Sequence, residues 1–282
     1  MRVLVLGAGG QLGRELTGLR GHAHEIIGLT RAGCDIAEPG AASRALQQHR
    51  PDAVINCAAW TKVDAAETQP DDAYRANAEG PRLLAQACRS QGALLCHVST
   101  DYVFDGTATA PILEDAPTNP LGVYGASKFA GEQAIRHAAP EHQIVRTSWL
   151  HGQDGPNFVL TMLRLGAEHA ELKVVADQRG APTWTGHLAP ALLRLLERGT
   201  PGTYHLTNSG ETTWCDFART IMQTARLSAR VEPTTTAEYG APAPRPAYSV
   251  LDNAAWRSLG EPPLPPWNEG LRAYLRARGV PA

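Results

Sequence analysis

A short β-prone run, Arg2–Leu6, passes directly into Gly-Ala-Gly-Gly-Gln-Leu-Gly and then into a helical pattern reaching about Leu19. Glycines at this junction constrain the fold more than any other part of the chain. Gly7 permits a tight turn, Gly10 lets the backbone approach a ligand, and Gly13 lets the helix lie close on the strand. The free N–H groups at the helix start, at the positive end of its dipole, then suit a phosphate. The same alternation continues. Glu25–Leu29 reads as a second strand, Pro39 opens a helix to about His49, and Ala53–Asn56 reads as a third strand. A helical stretch over about residues 70–90, a strand at 93–98, a helix at 124–138 and a strand at 143–148 complete the pattern. This order predicts the α/β class, a doubly wound parallel Rossmann-type sheet covered by helices on both faces.

Beyond Ser148 prolines and glycines become frequent. Residues 172–175 and 202–206 are the best strand candidates there, with helices near 184–197, 213–227 and 267–278. Pro242, Pro244, Pro246 and the prolines of 262–266 mark segments that cannot be helical. The expected organisation is an NAD(P)-binding domain over residues 1–148 and a smaller mixed substrate lobe over 149–282, with segments of the latter returning to the main domain.

A length of 282 residues, 43% hydrophobic and 19% charged, describes an ordinary globular chain able to bury a large core. The net charge of −2 carries no electrostatic footprint for nucleic acid or an anionic membrane. No apolar run approaches the ~20 residues that cross a bilayer, and the N-terminus does not read as a signal peptide. The five cysteines, Cys34, Cys57, Cys88, Cys96 and Cys215, never fall in a Cys-x-x-Cys spacing. They predict reduced thiols in a cytoplasmic protein, and no metal site is expected.

After the second strand the chain reads Thr30-Arg31, with no acid where an NAD-binding fold offers one to the ribose. An arginine there suits a 2′-phosphate, which favours NADPH while leaving NADH usable. Asp35-Ile36, a little further on, places a carboxylate and an apolar contact to flank the adenine.

The reacting groups are expected beyond the carboxyl ends of the strands. The third strand ends in small residues, Asn-Cys-Ala-Ala, before Trp60-Thr61, and the fourth ends Ser99-Thr100-Asp101-Tyr102. Tyr124 and Lys128 stand four residues apart, in a chain whose only lysines are Lys62, Lys128 and Lys173. On a helix this spacing puts phenol and ammonium on one face. A unit charge ~5 Å away at an effective dielectric of ~20 is worth about 3 kcal/mol, roughly two pKa units. The expectation is a tyrosine acidified into a proton donor, with a hydroxyl at the end of the fourth strand binding a substrate carbonyl.

The glycine loop, the hydroxyl after the fourth strand and Tyr-x-x-x-Lys together resemble the extended short-chain dehydrogenase/reductase superfamily. More narrowly, NCAAWTKVD (56–64), STDYVF (99–104), VYGASK (123–128), RTSW (146–149), DQRGAPT (177–183) and TTWCDFA (212–218) are similar to the dTDP-4-dehydrorhamnose reductase family. The resemblance implies hydride delivery from NADPH to the C4 ketone of a dTDP-4-keto-6-deoxy sugar. Tyr124 would protonate the oxygen, Lys128 would bind the nicotinamide ribose, and Thr100 would orient the carbonyl. It also implies Asp101 and Trp149 at the substrate, and Gly10, Gln11, Leu12, Asp35, Ile36, Ala59, Trp60, Thr61 and Tyr102 around the cofactor. Two departures stand out. Where the family often carries paired arginines before proline, only Arg245 remains, as a candidate for the nucleotide diphosphate. Some relatives form a dimer across magnesium. Glu15 is present here, but Trp-Thr-Gly-His follows Thr183 where an acid is expected, so the chain is expected as a monomer or a homodimer without that bridge. Alternatives remain: a 4-ketoreductase for another nucleotide deoxysugar, or a non-catalytic NADP-binding regulatory subunit similar to the β subunit of methionine adenosyltransferase.

Overall fold

A computed structural model describes residues 1–139 and 141–280. The first half runs β1 (Arg2–Leu6), α1 (Gln11–Gly18), β2 (Glu25–Leu29), α2 (Ala41–His49), β3 (Ala53–Asn56), α3 (Val63–Ala66) and α4 (Pro70–Tyr74). A π-helical turn, Arg75–Glu79, joins α4 to α5 (Gly80–Gln91), followed by β4 (Leu94–Thr100), a 3-10 turn (Asp101–Val103), α6 (Val123–Ala138) and β5 (His142–Thr147). Then come β6 (Leu150–His151), α7 (Phe158–Glu168), β7 (Glu171–Val175), β8 (Arg179–Gly180), β9 (Thr183–Trp184), α8 (Thr185–Arg198) and β10 (Gly202–His205). The chain closes with β11 (Thr212–Thr213), α9 (Trp214–Thr224), β12 (Arg230–Thr234), α10 (Thr236–Tyr239), α11 (Ala254–Ser258) and α12 (Trp267–Ala277).

Six strands form one parallel sheet in the order β10-β5-β4-β3-β1-β2. Side chains alternate across a strand, so an uninterrupted apolar run serves two faces. Val3, Val5, Ile55, Cys96 and Val145 pack with Leu12 and Leu16 of α1 and with Leu188, Leu192 and Leu195 of α8. Leu4, Leu6, Val54, Leu95 and Ile144 pack with Leu46 of α2, Leu84 of α5 and Ile135 of α6. A separate cluster joins α7, β7, α9, β12 and α12 through Val159, Met162, Leu172, Val174, Phe217, Ile221, Val231 and Tyr274.

The strand expected at 202–206 is the sixth member of the main sheet, pairing in parallel with β5. α8 reaches it over the same face as α1, a right-handed crossover being the usual route to a parallel neighbour. α2 begins at Ala41 rather than Pro39, because Gly40 turns with φ of 79° just before it. The helix expected over 70–90 is interrupted by the π turn, which sets Asn77 inward and buries it. That turn is what α6 packs against. A Cβ on Gly131 would overlap the Asn77 carbonyl oxygen, so α6 can lie this close only with glycine there. Gly131→Ala is expected to cost about 1–3 kcal/mol through overpacking against backbone. Urea denaturation measures this, and an unchanged midpoint would show that the two helices have room to part.

Candidate active site

A crevice opens beyond the carboxyl ends of β1, β3 and β4, where the glycine loop meets the loop after β3. Gly7 turns with φ of 79°, and a Cβ there would come within 2.6 Å of the Ala58 nitrogen. A Cβ on Gly13 would overlap the Gly7 carbonyl. Gly10 differs: its added Cβ would meet only the Gly7 oxygen, at 3.4 Å, so this glycine faces open space. It precedes α1 with no side-chain cap, which leaves the first N–H groups of the helix turned to the crevice. Gln11 donates its amide to the Pro156 carbonyl (3.2 Å), and Leu12 is buried in the core. Both line the crevice.

One end of the crevice, about 410 Å³, is lined by Gly9, Thr30, Arg31, Asp35, Ile36, Ala59, Trp60 and Arg75. Arg31 and Arg75 both donate to Oδ2 of Asp35, at 3.3 and 3.2 Å. Burial pushes the Asp35 carboxyl up, but the Ala37 N–H and the two guanidiniums outweigh it and hold the group low. Arg75 escaped sequence reasoning because a π turn shifts it away from where a regular helix would carry it. Asn77, in the same turn, accepts the Trp60 N–H (2.8 Å), donates to the Trp60 carbonyl (3.1 Å) and donates to Ser127 Oγ (3.0 Å). One side chain thus ties the loop after β3 to α6.

The other end, about 530 Å³, is lined by Gly10, Thr61, Thr100, Asp101, Tyr102, Tyr124, Lys128, Thr147 and Trp149. Thr100 ends β4, where its Oγ1 accepts the Tyr102 N–H (3.2 Å) and donates to Asp101 Oδ1 (3.1 Å). Asp101 Oδ2 and Thr147 Oγ1 are buried without a partner. Burial pushes the Asp101 carboxyl up to about 6, against the Ser249 and Thr100 hydroxyls, which favour its charged form. Two unsatisfied oxygens beside a hydroxyl are what a polar ligand would complete.

Tyr124 stands edge-on to Tyr102, ring centroids 5.4 Å apart. Its electrostatics differ from expectation. Burial pushes the phenol up to about 12, and the Thr100 side chain only partly offsets this. Lys128 supplies no acidifying charge, because its Nζ turns under the site to the Val98 carbonyl (2.7 Å) and His97 Nε2 (3.3 Å). Burial in turn pushes the lysine down to about 8, against Glu132 and Cys57. The spacing does put both residues in one cavity, but the resting lysine amine does not face the phenol.

α6 owes its placement to groups that no motif announces. Gly122 offers it no cap, and Glu67 Oε1 instead accepts the Val123 N–H (2.8 Å). Lower down, the fully buried Glu132 accepts from Ser99 Oγ (2.6 Å) and from Arg146 Nε and Nη2 (3.0 and 2.7 Å). Trp149 sits in the left-handed region at φ 48° and stacks on Trp214 at 3.5 Å and 6°. Its edge lies against Gly180, where a Cβ would come within 2.6 Å of Nε1. Arg245 is committed elsewhere, its Nη2 donating to both Asp64 oxygens at 2.9 Å. Glu15 Oε2 accepts from Thr185 Oγ1 (2.9 Å), and no cluster of three or more metal-ligating side chains occurs among the described residues.

The family described as RmlD substrate binding domain matches residues 1–279. The chain belongs to that family. It is 49% identical over 280 residues to the dTDP-4-dehydrorhamnose reductase of Streptomyces griseus, covering 96% of this chain and 91% of the relative. It is 46% identical over 276 residues to a probable dTDP-4,6-dihydroxy-2-methyloxan-3-one 4-ketoreductase of Streptomyces antibioticus, covering 96% of this chain and 94% of that one. The crystal structure of dTDP-4-dehydrorhamnose reductase from Bacillus anthracis in complex with NADP superposes with a TM-score of 0.95 at 41% identity, over 98% of this chain and 99% of that one.

Among the contacts that hold the site, Glu132 makes the clearest stability prediction. Glu132→Gln leaves Arg146 charged and buried, and is expected to cost about 3–5 kcal/mol in chemical denaturation. The carboxyl is held below its usual range: burial raises it, but Arg146, Ser99 and Arg136 prevail. Its contribution is therefore complete above the unfolded pKa and lost as pH falls through the lower folded value. The stability of Glu132→Gln should fall less steeply than that of the wild type below pH ~4.5. Parallel acid limbs would deny the pair this role.

Proposed function

We propose that this chain reduces the C4 ketone of dTDP-4-dehydro-L-rhamnose to dTDP-L-rhamnose with NADPH, NADH being accommodated less well. The observation that carries the reading is the convergence of Thr100, Tyr124 and Lys128 in one cavity continuous with the glycine loop. The open face at Gly10 and the uncapped start of α1 fit a pyrophosphate. Arg31 and Arg75, both on Asp35, fit a 2′-phosphate, and Thr30, Ile36, Ala59, Trp60, Thr61 and Tyr102 line the remaining wall. When bound, NADPH supplies the hydride.

The chain's own residues do the rest. Thr100 Oγ1 orients the carbonyl oxygen, and Tyr124 gives that oxygen a proton as negative charge develops on it. A phenol held near 12 keeps its proton in the resting site, so it is loaded as the acid before substrate enters. Lys128, once its amine turns from the Val98 carbonyl, supplies the cation that steadies the phenolate left behind. Asp101 Oδ2, without a partner, accepts a sugar hydroxyl, and the half-buried Trp149 ring in the cavity wall meets the sugar or thymine ring. Arg245, already paired with Asp64, contributes at most a secondary contact to the diphosphate. In this reading residues 1–148 serve mainly the dinucleotide and 149–282 mainly the sugar nucleotide. The free thiols, four of the five buried, support a cytoplasmic setting, and Glu15, engaged by Thr185, supports a monomer or a homodimer without a magnesium bridge.

The Streptomyces antibioticus relative favours one second reading, a 4-ketoreductase for a different dTDP-deoxysugar. NADPH oxidation with dTDP-4-dehydro-L-rhamnose tests the first, and the product's configuration by NMR separates the two. Tyr124→Phe is expected to lower kcat by at least ~10²-fold with cofactor affinity retained. Undiminished turnover would remove Tyr124 from the proton-donor role.

A further inference from the structure

Lys128 lines the cavity, yet its amine points to the floor beneath it, where His97 and Asn56 lie fully buried on neighbouring strands. The hydrogens of this group can be placed one at a time. The Ala58 N–H donates to Asn56 Oδ1 (3.1 Å), which turns the Asn56 NH₂ group toward His97. That NH₂ donates to His97 Nδ1 (3.0 Å). With Nδ1 accepting, the single ring proton of a neutral imidazole sits on Nε2. Nε2–H then faces Lys128 Nζ at 3.3 Å, while Nζ itself donates to the Val98 carbonyl at 2.7 Å.

We infer that His97 is a positioning residue for Lys128, its imidazole locked by Asn56 so that Nε2–H holds the lysine amine on the floor of the site. An uncharged amine has the lone pair this arrangement needs, and an ammonium has none. Charging Lys128 in place requires the ring proton to move to Nδ1, against the Asn56 NH₂, or the amine to leave His97 and turn into the cavity. The imidazole therefore sets the pH at which a cation becomes available beside Tyr124. The groups acting on Lys128 are consistent with a balance that His97 can tip. Burial opposes the charge, while Glu132 on α6 and Cys57 after β3 favour it. His97 itself stays neutral, pushed well down by burial and by Lys128.

The inference rests on the ketoreductase reading for its consequence in turnover, but its first test needs no substrate. Lys62, Lys128 and Lys173 are the only lysines, so [¹³Cε]lysine labelling gives a spectrum in which each can be followed. In His97→Asn the amide reaches only the Nδ1 position, and in His97→Gln it reaches the Nε2 position. Lys128 is expected to titrate about one pH unit higher in His97→Asn, the scale of one buried hydrogen bond, and near the wild-type value in His97→Gln. The alkaline limb of kcat/KM should move up with it. An unmoved or lowered Lys128 titration in His97→Asn overturns the inference. In the unchanged protein, imidazole ¹⁵N shifts must show His97 as the Nε2–H tautomer, and finding Nδ1–H overturns it even if a variant fails to fold. Absence of turnover on any keto sugar would instead fail the ketoreductase reading and leave the titration standing.

Discussion

The Glu132 carboxylate, sunk between the sheet and α6, fixes the helix that carries Tyr124 and Lys128 to two strands at once. Ser99 binds it from β4 and Arg146 from β5, and the same guanidinium lies over the Phe104 ring at 5.1 Å. A buried charge pair of this kind contributes little net stability relative to an apolar core, but it is unforgiving of displacement. What it supplies is registration. Thr100, next to Ser99, and Tyr124, two turns before Glu132, are held in relation to each other by one carboxylate.

Around that anchor, close backbone approach does much of the positioning. Gly125 lets α6 meet the Tyr102 carbonyl, Gly131 lets it meet the Asn77 carbonyl, and Gly180 admits the edge of Trp149. Each contact replaces a side chain with backbone, which has fewer ways to yield. Asn77 adds a polar tie between the Trp60 loop and Ser127. A single amide thereby joins the two cavity walls.

Much of this was legible in the sequence wherever the physical reason is local. The glycine loop, the strand–helix alternation and the Tyr124/Lys128 spacing each follow from a few consecutive residues, and the structure places them at one crevice. What could not be read depends on distant partners. Arg75 and Asn77 reach the site because a π turn breaks helical spacing. Glu67 caps a helix 56 residues away. Trp214 backs Trp149 from another element. The charge relation between Tyr124 and Lys128 was misjudged for the same reason: spacing gives the face that a lysine occupies, not the carbonyl or imidazole it chooses.

β10 gives the molecule a further property. Because residues 202–205 complete the outer edge of the sheet after the chain has already travelled through the smaller cluster, the two halves are threaded through each other. Neither could be excised or exchanged for a foreign counterpart by a single cut without stripping a strand from the sheet. Diversification of what such a protein accepts would therefore proceed by point changes and loop variation on one indivisible frame.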